Sequence, residues 1–430
     1  MREWQRITAI EYAKPNALAE QIARSSDISF GKARELLFGA GERVRGLLGL
    51  DAAPLTLIGD KVQFQNFSGL LVLARGIELE VAPKFLGDTE GWREDFFLLA
   101  TLSHHGRLLD DEGLQAAARQ NSDLATLIGR SLVEMYWKNH RRPLRTYRRL
   151  KLVEFSIDGD YDPEDLISPT DDGFVQEITS FTRINSYNAA IRAAAAQLAP
   201  IVPDVETRAR LERVAEHLPR QPAPSRLDNR SVPSRARGWQ PTYDLSLDIL
   251  RGLGGAYDPK NALAPGFVMA TWQVWEHLVS IGLRSGMGGK NVSIQAGHRL
   301  GMRIRGTKKS PLTVYPDALA TLHEPSGIRK VIVDAKYKGH VERRDSPSIS
   351  NADIYEALAF TRATEVKDVV LAYPKSVDLS NLELCTVGNA VEFSNVTVGD
   401  VNIRAVEFGV CGISRRGGLK KFVTALLDVI

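Results

Sequence analysis

Apolar and polar positions alternate with two periods along this chain, and each change of period marks a new element. Residues 9–25 and 30–48 set Ala and Leu at helical spacing against Glu and Arg, with glycines near their ends. They predict two helices. Over residues 54–85 the period falls to two. Residues 55–58, 62–64, 70–73 and 77–81 read as short strands, broken by turn signals at Gly59-Asp60, Ser68-Gly69 and Arg75-Gly76. Short antiparallel strands of this kind predict a small barrel or sandwich-like module. Helical spacing returns over 92–140. Residues 143–162 read as extended, and 174–217 as helical with an Ala-rich stripe over 189–198. Helices are expected at 243–253 and 266–285, then strands, a hairpin and a helix within 292–375. The tail, 381–430, alternates β-like runs and closes on an apolar helix from Leu419. No internal repeat is visible.

Chemistry enters at one place above all. Tyr315-Pro316-Asp317 is followed by Val331-Ile332-Val333-Asp334-Ala335-Lys336-Tyr337-Lys338. Side chains on a strand alternate faces, so Asp334 and Lys336 project to the same side. The turn-rich His323-Glu324-Pro325-Ser326-Gly327 between them should fold the two strands back on each other. Two carboxylates and an ammonium then converge. That is the pattern by which PD-(D/E)xK nucleases hold Mg²⁺, a hard ion that takes one or two carboxylates with phosphate and water. The bland alternative is a solvated charge pair on an edge strand. The apolar, β-branched Val331-Ile332-Val333 run argues for a buried strand instead. Asn351-Ala352-Asp353-Ile354-Tyr355-Glu356 opens a further helix, with Asn351 as its N-cap and Ile354, Leu358 and Thr361 on one face.

Composition changes the picture little. The 430 residues are 43% hydrophobic and 25% charged, ordinary for globular domains, and enough for two or three cores. No apolar leader or membrane-length run is present, so a cytoplasmic protein without a membrane span is expected. Cys385 and Cys411 show no zinc or disulfide spacing. Trp272 and Trp275 are expected to anchor the core, and His104-His105 is a poor ligand pair.

Charge distribution says more than the net +3. From Lys138 to Lys151 the run holds Arg141, Arg142, Arg145, Arg148 and Arg149 and no acid. Such a run neutralises phosphate, and Tyr136, Trp137 and Tyr147 would add stacking on bases. The competing reading is a solvated cationic surface. A second basic stretch, 220–237, is rich in Pro, Ser and Arg and reads as a linker.

Taken in order, these motifs resemble the McrC family, the nuclease subunits of two-component, modification-dependent restriction systems. The resemblance rests on Gly69-Leu70-Leu71-Val72-Leu73, on Gly76-Ile77-Glu78-Leu79-Glu80-Val81-Ala82-Pro83-Lys84-Phe85, and on Tyr147-Arg148-Arg149. It rests also on Arg183-Ile184-Asn185-Ser186-Tyr187-Asn188 and on the Asp334/Lys336 and Asp353–Glu356 segments. It spans residues 55–375. It implies an α+β / α/β multidomain fold: an N-terminal β-rich docking module (1–95), a central helical, basic region (96–240) and a C-terminal PD-(D/E)xK domain (241–430). Asp317 and Asp334 would be metal ligands, Lys336 the catalytic lysine, and Glu276 a helical carboxylate completing the site. Asp353, Tyr355 and Glu356 would support it, and Lys338 would join the arginines on DNA. Glu356 departs from the family, where Gln is usual.

The resemblance further implies Mg²⁺, with Mn²⁺ able to substitute, and double-stranded DNA. It implies a McrB-like AAA+ GTPase or ATPase hexamer as partner, with residues 1–95 as the docking region, and a meeting of two copies for double-strand cutting. The chain itself has no phosphate-binding loop. Two other functions stay open: an adaptor that activates the AAA+ partner with little cleavage, and a stand-alone repair nuclease.

Overall fold

The computed structural model describes residues 5–430 except 60, 75–76, 106–122, 162, 164–166, 168–169, 225, 228–229, 252–266, 306, 326, 338–340, 344–345 and 378–381. Two compact units form, Met1–Leu127 with Gly266–Ile430 and, separately, Ile128–Gly252.

The chain opens on β1 (Gln5–Ile10), then α1 (Leu18–Ser26) and α2 (Phe30–Leu48). The helix expected from residue 9 therefore starts nine residues later. Ile7 and Ala9 are buried while Thr8 is exposed, a period-two pattern, and β1 pairs in parallel with a later strand. Satisfying that strand's backbone groups outweighs the local helical spacing. The second helix forms as expected. Ser29 caps it by accepting from the Lys32 amide at 3.2 Å, and Gly49 ends it in the left-handed region.

The four strands read over 54–85 all form: β2 (Leu55–Ile58), β3 (Lys61–Phe64), β4 (Ser68–Ala74) and β5 (Ile77–Ala82). They do not close into one antiparallel barrel. β2 and β3 make a separate hairpin, and β4 and β5 join a sheet ordered β1-β5-β4-β9, where β9 is Phe267–Met269. Gly69 permits this last pairing, since a Cβ there would lie 1.9 Å from the Phe267 carbonyl oxygen. β5 is buried on both faces. Its alternating glutamates are ion-paired: Glu78 with Arg6 at 2.8 Å and Glu80 with Arg93 at 2.7 Å. Burial lifts Glu78 to about 7 against the pull of Arg6. α3 (Trp92–His105) follows; the side chains of His104 and His105 lie outside the described residues.

The second unit carries most of α4 (Leu124–Asn139), then β6 (Thr146–Glu154), β7 (Asp160–Tyr161), β8 (Phe174–Thr182), α5 (Ser186–Leu198) and α6 (Val205–His217). A 3₁₀ turn, Ser234–Trp239, ends the basic linker and leads into α7 (Gln240–Arg251). Residues 174–182 are a strand, not the start of a helix. Phe174-Val175 and Ile178-Thr179 are β-formers, and the segment pairs along its whole length with β6. Asn185 then caps α5, accepting from the Asn188 amide at 2.9 Å, and Ala189, Ala190 and Ala193 to Ala195 are buried.

Back in the first unit, β9 runs into α8 (Thr271–Met287), replacing the front of the helix expected from 266. Then come β10 (Val292–Ile294), β11 (His298–Arg305), β12 (Lys308–Val314), β13 (Ala318–Glu324) and β14 (Gly327–Ala335). β15 (Val341–Arg343), β16 (Ser346–Ser348), α9 (Asn351–Thr364), β17 (Asp368–Pro374) and α10 (Leu382–Cys385) follow. β18 (Ala390–Val398), β19 (Val401–Phe408) and α11 (Gly418–Val429) complete the chain. Six strands form one sheet, ordered β10-β13-β14-β17-β19-β18. β14, β17 and β19 are parallel, and α9 makes the crossover between the first two. Val331, Ile332 and Val333 are fully buried, as a central strand requires. Ser350, one residue ahead of the expected Asn351, caps α9. Ala357, Phe360 and Thr361 are its buried face, with Ile354 and Leu358 partly buried against the same core. Cys385 and Cys411 are free thiols. No described helix is long and apolar enough to cross a membrane.

Candidate active site

The β13–β14 hairpin sets Ala318 opposite Val333, which puts Asp317 across from Asp334 at the mouth of the sheet. Asp317 Oδ2 accepts from the Ala335 amide at 2.8 Å. Asp334 is 3% exposed. Lys336, two residues along the same face, places its Nζ 2.6 Å from Asp334 Oδ2 and 2.7 Å from Glu356 Oε2. The glutamate that departs from the family pattern thus turns toward the lysine. Glu276 extends from α8 and accepts a hydrogen bond from Gln295 Nε2.

The charges are coupled. Burial raises Asp334 to about 7 against the pull of Lys336, and Asp317 adds to the rise. Asp317 is raised by burial and by Glu276, and Glu276 by burial, with Asp334 adding to it. Burial works against the Lys336 ammonium, yet Asp334 and Glu356 more than offset it and raise its pKa. Carboxylates pushed together out of water and toward neutrality form a cluster short of positive charge. Among the described residues no three His, Cys, Asp or Glu side chains form a ready-made metal cage. Two facing aspartates suit Mg²⁺, which keeps waters and substrate phosphate in its remaining positions.

The other expected residues are placed as follows. Asp353 accepts from Ser350 Oγ at 2.7 Å and from Tyr373 Oη at 3.1 Å. Tyr355 is 68% exposed. Lys338 lies outside the described residues. In the second unit Arg141, Arg142, Arg145, Arg148 and Arg149 are all exposed. Of the aromatic rings expected to stack on bases, Tyr136 and Trp137 are engaged within the fold, while Tyr147 is 66% exposed. Tyr136 is buried and bonds His217 Nδ1 at 2.6 Å, and Trp137 packs on both. Tyr147 lies 5.0 Å from Phe181, and the Arg235 guanidinium covers both rings. Trp275 is a core anchor, donating to the Ala372 carbonyl at 3.0 Å, whereas Trp272 is 39% exposed.

A second cluster, not foreseen from the sequence, adjoins the first through Tyr337. Tyr337, next to Lys336, donates its hydroxyl to Glu11 at the end of β1. Lys84 donates to the Tyr337 carbonyl and sits 4.3 Å above its ring. Burial raises Glu11 to about 7 against the pull of Tyr337 and Lys84, and burial lowers Lys84. The Val81-Ala82-Pro83-Lys84 segment carried the signal, but nothing local says that its lysine reaches a residue 253 positions away.

Fold and site together define a mixed α/β protein with several sheets and a buried acid–lysine cluster at the mouth of its largest one. Residues 62–374 match the profile of the family described as McrBC 5-methylcytosine restriction system component. The chain belongs to that family. Its fold is similar to a chain of the Thermococcus gammatolerans assembly of McrB AAA+ hexamers with bound McrC. The TM-score is 0.70 at 13% identity, over 99% of this chain and 100% of that one. A second structure, the McrBC complex of the same organism, aligns over 65% of this chain and 87% of that one, with TM-score 0.49 and 13% identity. No curated protein sequence matches.

Proposed function

We propose that this chain is the metal-dependent DNA endonuclease subunit of a McrBC-like restriction system, active when an AAA+ NTPase partner engages it. The observation that carries this reading is the Asp317/Asp334 pair facing across one hairpin with Lys336 bound beside it. A sheet with this hairpin and the α9 crossover is what a PD-(D/E)xK domain needs.

Asp317 and Asp334 would hold Mg²⁺, or Mn²⁺ in its place. When bound, the metal supplies Lewis-acid polarisation of the phosphate and a more acidic water. The chain's own groups do the rest. The Ala335 amide fixes the Asp317 carboxylate. Lys336, held by Asp334 and Glu356, presents a cation where charge builds on the phosphate. Glu276, oriented by Gln295, lies at the edge of the cluster to accept a proton from the attacking water.

We infer that the AAA+ partner docks outside residues 1–95, the region to which the family resemblance points. Much of that segment packs into the first unit's cores. Large exposed apolar side chains gather instead on the second unit's sheet and its loops: Val153, Phe155 and Ile157, with Tyr161 and Ile167. Apolar surface of this kind marks a protein interface, and we assign AAA+ docking there. Arg141, Arg142, Arg145, Arg148 and Arg149 are assigned to DNA phosphate on exposure and charge. A cytoplasmic setting completes the reading.

The test is DNA cleavage in Mg²⁺ by wild type and Asp334→Ala, with and without the AAA+ partner and its nucleotide. Cutting by wild type only with partner, and none by the variant, supports the reading. Silence from both while the partner's NTPase rate rises makes the chain an adaptor.

A further inference from the structure

From Gln295 to Pro316 the chain carries Arg299, Arg303, Arg305, Lys308 and Lys309 and not one carboxylate, in a protein whose overall balance is only +3. This segment folds as the β11–β12 ribbon, two antiparallel strands forming a sheet of their own. Its legs leave the main sheet beside the candidate site. On one side Ile294 pairs with Ala318 and the Gln295 amide donates to the Asp317 carbonyl at 3.0 Å. On the other, β12 runs straight through Tyr315-Pro316 into Asp317. Val314 at the base packs against the core of the sheet. Further out, Arg299, Arg303, Lys308 and Lys309 are exposed, with Met302 43% and Ile304 63% exposed beside them. Among the described residues none of these four cations is ion-paired.

We propose that this ribbon is an arm for double-stranded DNA, gripping backbone phosphates to one side of the scissile bond. The inference rests on the nuclease reading of the Asp317/Asp334 site and says where its substrate lies. Three features favour it over a solvated surface. A soluble surface mixes both signs of charge, and here only one sign is present. The arm's base is shared with Asp317, so anything it holds is delivered to the carboxylates. Its length, about 23 Å for seven residues at ~3.3 Å each, matches several base-pair steps, and a two-stranded ribbon fits the major groove.

Positive charge on a two-stranded ribbon has one other use, to keep its edges from pairing with another chain. Charge reversal separates the two, because glutamates guard an edge as well as lysines do. The experiment is fluorescence anisotropy of the full chain with a short labelled duplex across a salt series, for wild type and Arg303→Glu/Lys308→Glu/Lys309→Glu. Unfolding midpoints confirm that the variant folds. Cleavage is followed separately with Mg²⁺ and the AAA+ partner. The expected result is affinity weaker by about tenfold or more in the triple variant, with the log–log salt slope reduced by about 2–3. Wild-type affinity and slope in the triple variant overturn the arm, as does a wild type that binds no duplex. Loss of binding in the triple variant beside a wild type that never cuts leaves the arm standing and removes the nuclease reading. Cutting by wild type with unchanged binding in the triple variant does the reverse.

Discussion

β14 and β6 are both nine-residue strands that mix basic and apolar side chains, and the fold puts them in opposite surroundings. β14 runs through the middle of a six-stranded sheet, with Val331 to Asp334 buried. β6 is an edge of a three-stranded sheet, and no residue along it is fully buried. At the end of β14 a carboxylate out of water is driven toward neutrality and must be paired. On β6 the Lys151–Glu177 pair at 3.9 Å stays in solvent, where such pairs contribute about 0–1 kcal/mol. Charge type alone therefore says little. Burial turns a charged residue into a chemical group, and exposure leaves it a handle for a partner.

The sharpest way to break this contrast is Asp334→Ala. Cleavage by the partnered protein should fall by about 10³-fold or more, since transition-state charge loses several kcal/mol of stabilisation. Cleavage assays with purified protein check it. A wild-type rate would move the chemistry away from β14.

The next effect concerns the cluster that adjoins the site. Glu11 has a folded pKa of about 7, above its ordinary value of 4.5. The folded state therefore holds a proton that the unfolded state releases. This contribution is complete below about pH 4.5 and is lost as pH rises through about 7, on the order of 3 kcal/mol in all. Glu11→Gln should flatten that part of the stability profile, measured by denaturant unfolding at pH 5 and pH 8. An unchanged pH dependence removes Glu11 as its source. Tyr337→Phe, which deletes the hydroxyl that Glu11 accepts, should cost about 1–3 kcal/mol, read from the same unfolding curves.

Smaller effects belong to the exposed sheet. Phe155→Ser/Ile157→Ser should leave stability within about 0.5 kcal/mol while weakening capture of the AAA+ partner by about tenfold. A pull-down beside an unfolding curve reads both, and intact capture moves docking off this sheet. Arg148→Ala/Arg149→Ala should be the mildest, lowering the salt slope of DNA binding by about 1 for each phosphate that is no longer neutralised. An unchanged slope would return these arginines to solvent.

Much of the fold was legible because local patterns were strong. The strands over 55–82, the second helix, the buried β14 and the closing apolar helix announce themselves by period, cap or composition. Where reading failed, pairing partners lay far off in sequence. β1 and β9 are short, and each is a strand only because β5 or β4 waits for it. Residues 174–182 became a strand because β6 could pair with them. The Asp317/Asp334/Lys336 grouping was readable since one tight hairpin makes it. Gln295 beside Glu276, Glu356 on Lys336 and Glu11 on Tyr337 were not.

What the sequence determined by itself is the set of local choices: where the period is two or 3.6, where turns fall, and that two aspartates and a lysine meet across one hairpin. Short-range backbone sterics and alternation suffice for these, because no distant residue is needed. The tertiary structure alone decided which charges are buried. It took Glu78, Glu80, Glu11 and Lys84 out of water, turned Glu356 toward Lys336, and left Arg303, Lys308 and Phe155 outside. Desolvation depends on what packs around a group, and those neighbours come from segments that the local pattern cannot see.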